Sequence, residues 1–245
     1  MNGRSLLVCC VLGGLSGLAE EPAAVRPPAV VQVPFTATDE ASAARGFPEG
    51  LSLALGGGLG FPKMDALNEY IRWANRTSSG NLDEIDETTQ FYAGIGYDCG
   101  GGFGLGLGIA YLDAGTEGTT YFLGTPYHLE FRLDVVGIEA SLSKSWNLWD
   151  SPFSLKTSVA GGHYWSSYRE TESGYRASGE DQAWGARAML GLGWEISKSF
   201  SLDLEVGYRW LKFDGYGVAW VSPGRPTAEA DFSGPMAQAA LTFRF

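Results

Sequence analysis

Met236-Ala-Gln-Ala-Ala-Leu-Thr-Phe-Arg-Phe245 is the stretch that decides the fold. Taken in twos, Ala237, Ala239, Leu241, Phe243 and Phe245 share one side, with Gln238, Ala240, Thr242 and Arg244 on the other. That period belongs to a half-buried strand. If a strand closes the chain, the segments before it should show the same period.

They do from Leu51 onward. Leu51, Leu53, Leu55, Leu59 and Phe61 share a face, followed by Phe91, Ala93, Ile95 and Tyr97, and then by Phe103, Leu105, Leu107, Ile109 and Tyr111 opposite Gly104, Gly106 and Gly108. A fourth strand begins near Tyr127 with Leu129, Phe131, Leu133 and Val135. After Gly137 its apolar residues move to even positions (Ile138, Ala140, Leu142), which predicts a β-bulge near Val136 and Gly137. Phe153 to Trp165, Trp184 to Ile196 and Leu202 to Trp210 supply three more, so the terminal stretch is the eighth strand.

Short connections near Asp98 to Gly102, Asn147 to Pro152 and Ser197 to Ser199 alternate with long ones at Pro62 to Glu87, Ala114 to Pro126, Arg169 to Glu180 and Gly215 to Asp231. Short turns on one side and long loops on the other are the layout of a transmembrane barrel. Rows of glycine suit a narrow interior. Two sets of aromatics suit two membrane interfaces: Trp146, Trp149, Trp194, Phe200 and Phe245 near the turns, and Tyr111, Tyr127, Trp165, Trp184 and Trp210 near the loops. The fold class expected is all-β, an eight-stranded antiparallel up-and-down transmembrane β-barrel. Met64, Leu67, Ile71 and Ala74 add a short amphipathic helix in the first extracellular loop.

Residues 1–19 read as a signal peptide: Arg4, an apolar run from Leu6 to Leu18, and Gly17-Leu18-Ala19 before a cut. Val8 before Cys9 argues against a lipoprotein anchor. Residues 20–48, with Pro22, Pro27, Pro28, Pro34 and Pro48, read as a Pro/Ala-rich periplasmic linker, and residues 49–245 as the barrel. The net charge of −11 becomes one unit more negative when Arg4 leaves, which excludes nucleic acid as a partner. Only Cys99 remains after cleavage, so no internal disulfide forms.

With these features in place, the chain resembles the small, eight-stranded, OmpA/OmpX-like bacterial outer-membrane β-barrels. The resemblance implies an outer-membrane location, outer-membrane lipids and lipopolysaccharide as surroundings, and a monomer. It also implies that Phe243 and Phe245 form a C-terminal signal read by the barrel assembly machinery. It implies no cofactor and no particular activity. The function expected is non-enzymatic, a structural or surface-interaction role carried by extracellular loops.

Charged residues assigned to the lumen are Glu130, Arg132, Asp134, Glu139, Lys156, Arg187, Glu195, Asp203, Glu205, Arg209 and Arg244, which must pair in a narrow core. His128 is expected to join Glu130 at its upper rim. Some outer-membrane barrels are lipid-modifying hydrolases, so His163, Ser167 (or its neighbour Ser166) and Glu170 form the one catalytic candidate set, although Trp165 stands where a His-x-Ser pattern needs serine. His163 is otherwise an interfacial residue among Tyr164, Trp165 and Tyr168. A conduit for small apolar solutes through a lateral opening is the remaining alternative. Asp83, Glu84, Asp86 and Glu87 are candidate oxygen ligands for a divalent cation, without the glycine and spacing of an EF-hand. Nucleotide loops, zinc spacings and nucleophile elbows are absent.

Overall fold

The computed structural model describes residues 50–122, 125–149, 151–172, 175–214 and 229–245. The segments expected to be a signal peptide and a linker, and most of the loop expected at Gly215 to Asp231, lie outside these residues.

The order is β1 (Leu51–Gly60), α1 (Asp65–Ser78), β2 (Thr88–Gly100), β3 (Phe103–Phe122), β4 (Thr125–Asn147), β5 (Phe153–Glu172), β6 (Tyr175–Ser197), β7 (Phe200–Trp210), the two-residue β8 (Lys212–Phe213) and β9 (Ala230–Asp231), and β10 (Gly234–Arg244). Eight of the strands close in the order β1-β10-β7-β6-β5-β4-β3-β2, every neighbour antiparallel. The terminal stretch therefore seals the ring, from Ser52↔Arg244 to Gly60↔Met236.

The wall is inverted relative to a water-soluble barrel. Leu107, Leu190 and Leu204 are 53%, 50% and 56% exposed, whereas Glu139 and Arg209 are 1% and 3% exposed. Phe61, Phe91, Trp165, Trp184 and Trp210 rim the belt at the loop end, and Tyr97, Phe103, Trp146, Phe153 and Trp194 rim it at the turn end. Tyr127 is not part of a rim, because it pairs with Thr120 far up the β3–β4 hairpin.

Four strands, β3 to β6, run well past the belt. At 23 residues each, β4 and β6 are about twice the 9–11 residues that cross a bilayer. The segments read as loops from Ala114 to Pro126 and from Arg169 to Glu180 are therefore continuations of two hairpins, paired as far as Phe122↔Thr125 and Glu172↔Tyr175. Apolar alternation stops there because the outer face has left hydrocarbon, while backbone pairing continues.

The expected bulge near Val136 and Gly137 is also absent: β4 keeps unbroken register with both neighbours from Leu129 to Lys144. Odd residues point inward throughout. In the upper barrel the interior is apolar, so Phe131, Leu133 and Val135 are buried, and in the lower barrel it is polar, so Glu139 takes the same face. The change of apolar parity records two changes of surroundings and no extra residue.

Candidate functional site: the plugged lumen and the outer rim

Loop 1 fills the upper lumen. Helix α1 runs between two non-glycine residues in left-handed conformation, Met64 (φ 39°) and Ser79 (φ 48°), with Asp65 in its first turn and Arg76 in its last, both favourable to the helix dipole. Its apolar stripe, Met64, Leu67, Tyr70, Ile71 and Ala74, is buried together with Leu112, Phe131, Leu133 and Tyr164 of the wall and Phe213 of β8. Backbone bonds from Lys63 to Ser233 (3.1 Å) and from Met64 to Asp231 (3.2 Å) fix its entry beside β9.

Two asparagines, two turns apart, bind the returning chain. Asn68 Nδ2 donates to the Ile85 carbonyl (3.1 Å) and its Oδ1 accepts from the Ile85 N–H (2.8 Å). Asn75 does the same with Leu82 at 2.9 and 3.0 Å. Each amide imitates a backbone partner and carries Leu82 or Ile85 into the core, at 4% and 2% exposure. Asn68→Ala is expected to leave both backbone groups of Ile85 buried and unsatisfied, costing about 2–3 kcal/mol. Limited proteolysis of the folded protein should then cut loop 1 at a rate at least tenfold above wild type, with the barrel strands still protected; an unchanged rate would contradict the clamp.

Glu170 ties the helix to the wall: Tyr70 donates to its Oε1 (3.1 Å) and Tyr168 to its Oε2 (3.0 Å). Tyr70 also meets Phe131 edge-on at 5.5 Å, and Phe131 stacks on Tyr168 at 6.3 Å.

Beneath the plug lies a polar core. Arg187 donates to Glu139 Oε2 from Nε (3.0 Å) and from its NH2 group (2.9 Å), and the Tyr164 hydroxyl donates to the other Glu139 oxygen. Arg187 also donates to Gln238 (3.2 Å), whose Nε2 donates to Glu205 (2.5 Å), and its guanidinium lies 5.0 Å from the Tyr92 ring. Arg209 donates to Gln90, and its Nε has no partner among the described residues. Lys156 (2.6 Å) and Thr242 (3.0 Å) both donate to Asp203. Glu139, Asp203 and Glu205 thus share the lumen with Lys156, Arg187 and Arg209. Charge is balanced there, as burial of ions requires. Arg244 and Glu195 (3.4 Å) meet half-exposed at the turn end.

Three residues assigned to this network lie elsewhere. Glu130, Arg132 and Asp134 occupy the outward parity of β4, above the belt, where Arg132 reaches Asp113 and Asp134 (3.4 Å each) and Tyr111 donates to Asp134 (2.5 Å). His128 is exposed on the same outward face. The inward positions between them on β4 are filled by Leu129, Phe131 and Leu133, which pack in the apolar core around helix α1.

The catalytic candidates are divided by the wall. Even residues of β5 are buried from Ala160 to Glu170 and odd ones are not, so His163 and Ser167 face outward while Glu170 faces the core. Tyr164 and Tyr168, read as interfacial, are also inward, at 0% and 1% exposure. His163 contacts Trp165 and Trp184 edge-on, at 4.6 and 5.1 Å. An acid across the strand cannot orient this imidazole.

Asp83, Glu84, Asp86 and Glu87 are exposed, and Glu84 pairs with Arg72 at 2.7 Å. Among the described residues no three His, Cys, Asp or Glu side chains gather closely enough to hold a metal. Phe243 packs on Phe200 at 5.1 Å, and the Phe245 N–H donates to Leu51 (3.0 Å).

The lumen also holds the uncharged Tyr92, Gln90, Tyr164 and Gln238, and loop 1 the two asparagines, none of which the pattern of charged residues marks. Strand parity alone marks the first four as inward. Nothing local marks Asn68 and Asn75 as clamps, because their partners are backbone atoms.

No protein-family model and no curated protein matches the chain. Among solved structures it is similar to Neisserial surface protein A (12% identity, TM-score 0.46, 80% of this chain and 96% of that one). It is also similar to Ail of Yersinia pestis (12%, 0.42, 80% and 99%) and to the N-terminal β-barrel domain of Pseudomonas aeruginosa OprF (12%, 0.40, 80% and 98%). The chain's own strand register makes it an eight-stranded antiparallel β-barrel with a helix in its first loop.

Proposed function

We propose that this chain is an integral bacterial outer-membrane β-barrel with a closed lumen, non-enzymatic, serving a structural or surface-interaction role through its plugged mouth and protruding hairpins. The observation that carries this reading is the inverted wall: a continuous apolar belt faces out and paired ions face in. A belt of that extent in water would drive association, whereas hydrocarbon accepts it. Outer-membrane lipids and lipopolysaccharide are then the surroundings, and Phe243 and Phe245, at the sealing strand, present the assembly signal.

Two observations weigh against the alternatives. The separation of His163 from Glu170 by the wall disfavours a lipid hydrolase, and the plug above the Glu139–Arg187 pair disfavours a solute path through the lumen. His163→Ala should leave lipid A and phospholipid profiles unaltered, and planar-bilayer recordings should stay silent.

The deciding experiment is envelope fractionation with gel electrophoresis before and after boiling. The protein is expected in the outer-membrane fraction, with an unboiled form of different mobility. Recovery as a soluble species with a single mobility would overturn the reading.

A further inference from the structure

Outward residues just above the belt on β4, β5 and β6 form a patch that the plugged lumen does not explain. Val136 and Trp165 pair at the top of the belt, and two steps higher on each strand Arg132 and Arg169 stand directly opposite each other, both exposed. Like charges in that relation destabilise a sheet unless something offsets them. Asp113 and Asp134 offset Arg132. Among the described residues no carboxylate lies within ion-pair distance of Arg169; Glu130, facing Thr171, and Asp134 and Glu180, both facing Ser167, are diagonal to it and form no ion pair with it, Asp134 being held by Arg132. Ser178 lies across from it on β6. Below Arg169 is an aromatic shelf: Trp165 at 44% and Trp184 at 78% exposure, with His163 between them.

We propose that this patch holds the phosphate of an outer-leaflet lipid headgroup, Arg169 supplying the charge and Trp165 and Trp184 the platform beneath. A guanidinium fork matches phosphate oxygens in two parallel bonds, and indole rings favour the depth at which hydrocarbon gives way to headgroups. The site rests on the membrane placement proposed above. It names a lipid contact for that placement without using the lumen.

The test is native mass spectrometry of the full chain, refolded in zwitterionic micelles and titrated with dioleoyl phosphatidic acid, a phosphorylated glycolipid, or inorganic phosphate alone. A saturable one-lipid adduct with either lipid is expected. Its dissociation constant should rise about tenfold in Arg169→Gln, a loss near 1.4 kcal/mol. Arg169→Lys should recover part of the affinity, and Lys63→Gln, exposed elsewhere on the mouth, should behave as wild type. Trp184→Leu should weaken the adduct with the charge intact, and serves if Arg169→Gln fails to refold. Equal binding by Arg169→Gln, or displacement of lipid by inorganic phosphate at equal concentration, would overturn the site. Absence of the heat-dependent gel shift in wild type would instead overturn the membrane placement itself.

Discussion

Replacing Arg187 with alanine is expected to cost about 3–5 kcal/mol, a third or more of the stability of an ordinary domain. Glu139 is 1% exposed and receives two bonds from that guanidinium. Without it the carboxylate keeps the Tyr164 hydroxyl and loses the one counter-charge in contact with it among the described residues, while Gln238 loses the donor that links it to the pair. The Glu139→Leu/Arg187→Leu double variant should recover most of the loss, because removing both ions removes the desolvation as well as the attraction. Arg132→Ala is the comparison: also an arginine with carboxylates on either side, but exposed above the belt, and expected to cost under about 1 kcal/mol. Urea titrations read by the fraction of heat-modifiable band would rank the three. A ranking with Arg132→Ala equal to or worse than Arg187→Ala would contradict the placement of these two arginines.

Those two arginines also show where a sequence is legible and where it is not. Strand period, turn spacing and the pairing strand at the end of the chain are local properties, and they gave the strand count, the closure and the helix of loop 1. Which medium touches each face is a property of height along the barrel. On β4 the period never changes, yet the apolar side moves from odd to even positions, because Phe131 and Leu133 meet helix α1 whereas Ile138 and Leu142 lie on the outer wall. A reading that assumes one medium per face must insert a bulge and must send Arg132 inward. The same assumption ends β3 and β5 where the belt ends, although both strands remain paired far beyond it. His163 and Glu170 are seven residues apart, so the chain itself gives their opposite parity; only proximity in sequence groups His163, Ser167 and Glu170. The asparagine clamp was not available, since it depends on how loop 1 folds back on itself.

Gly58→Val is expected to abolish the folded, heat-modifiable form, whereas Gly57→Val, one residue earlier, should preserve it. Both positions lie in β1 at the seam with β10, opposite Gln238 and Ala239. Valine raises strand propensity at either site, so a difference between the two variants must come from space. At Gly58 an added Cβ would stand 2.1 Å from the Ala237 carbonyl oxygen and 2.7 Å from the Gln238 Cα, backbone atoms that cannot turn aside. At Gly57, on the outer face, the nearest atoms are the Gln90 carbonyl at 3.4 Å and the Phe91 ring at 3.6 Å, ordinary contact. Overpacking in a tight core costs about 1–3 kcal/mol when side chains can adjust, and more when they cannot. Here the adjustment would part the strands that seal the ring and would move Gln238, through which Arg187 reaches Glu205. The seam and the charge network therefore fail together. If refolding gels instead showed Gly57→Val lost and Gly58→Val intact, the inner and outer faces of β1 would have to be exchanged, and with them the assignment of every side chain that faces lipid.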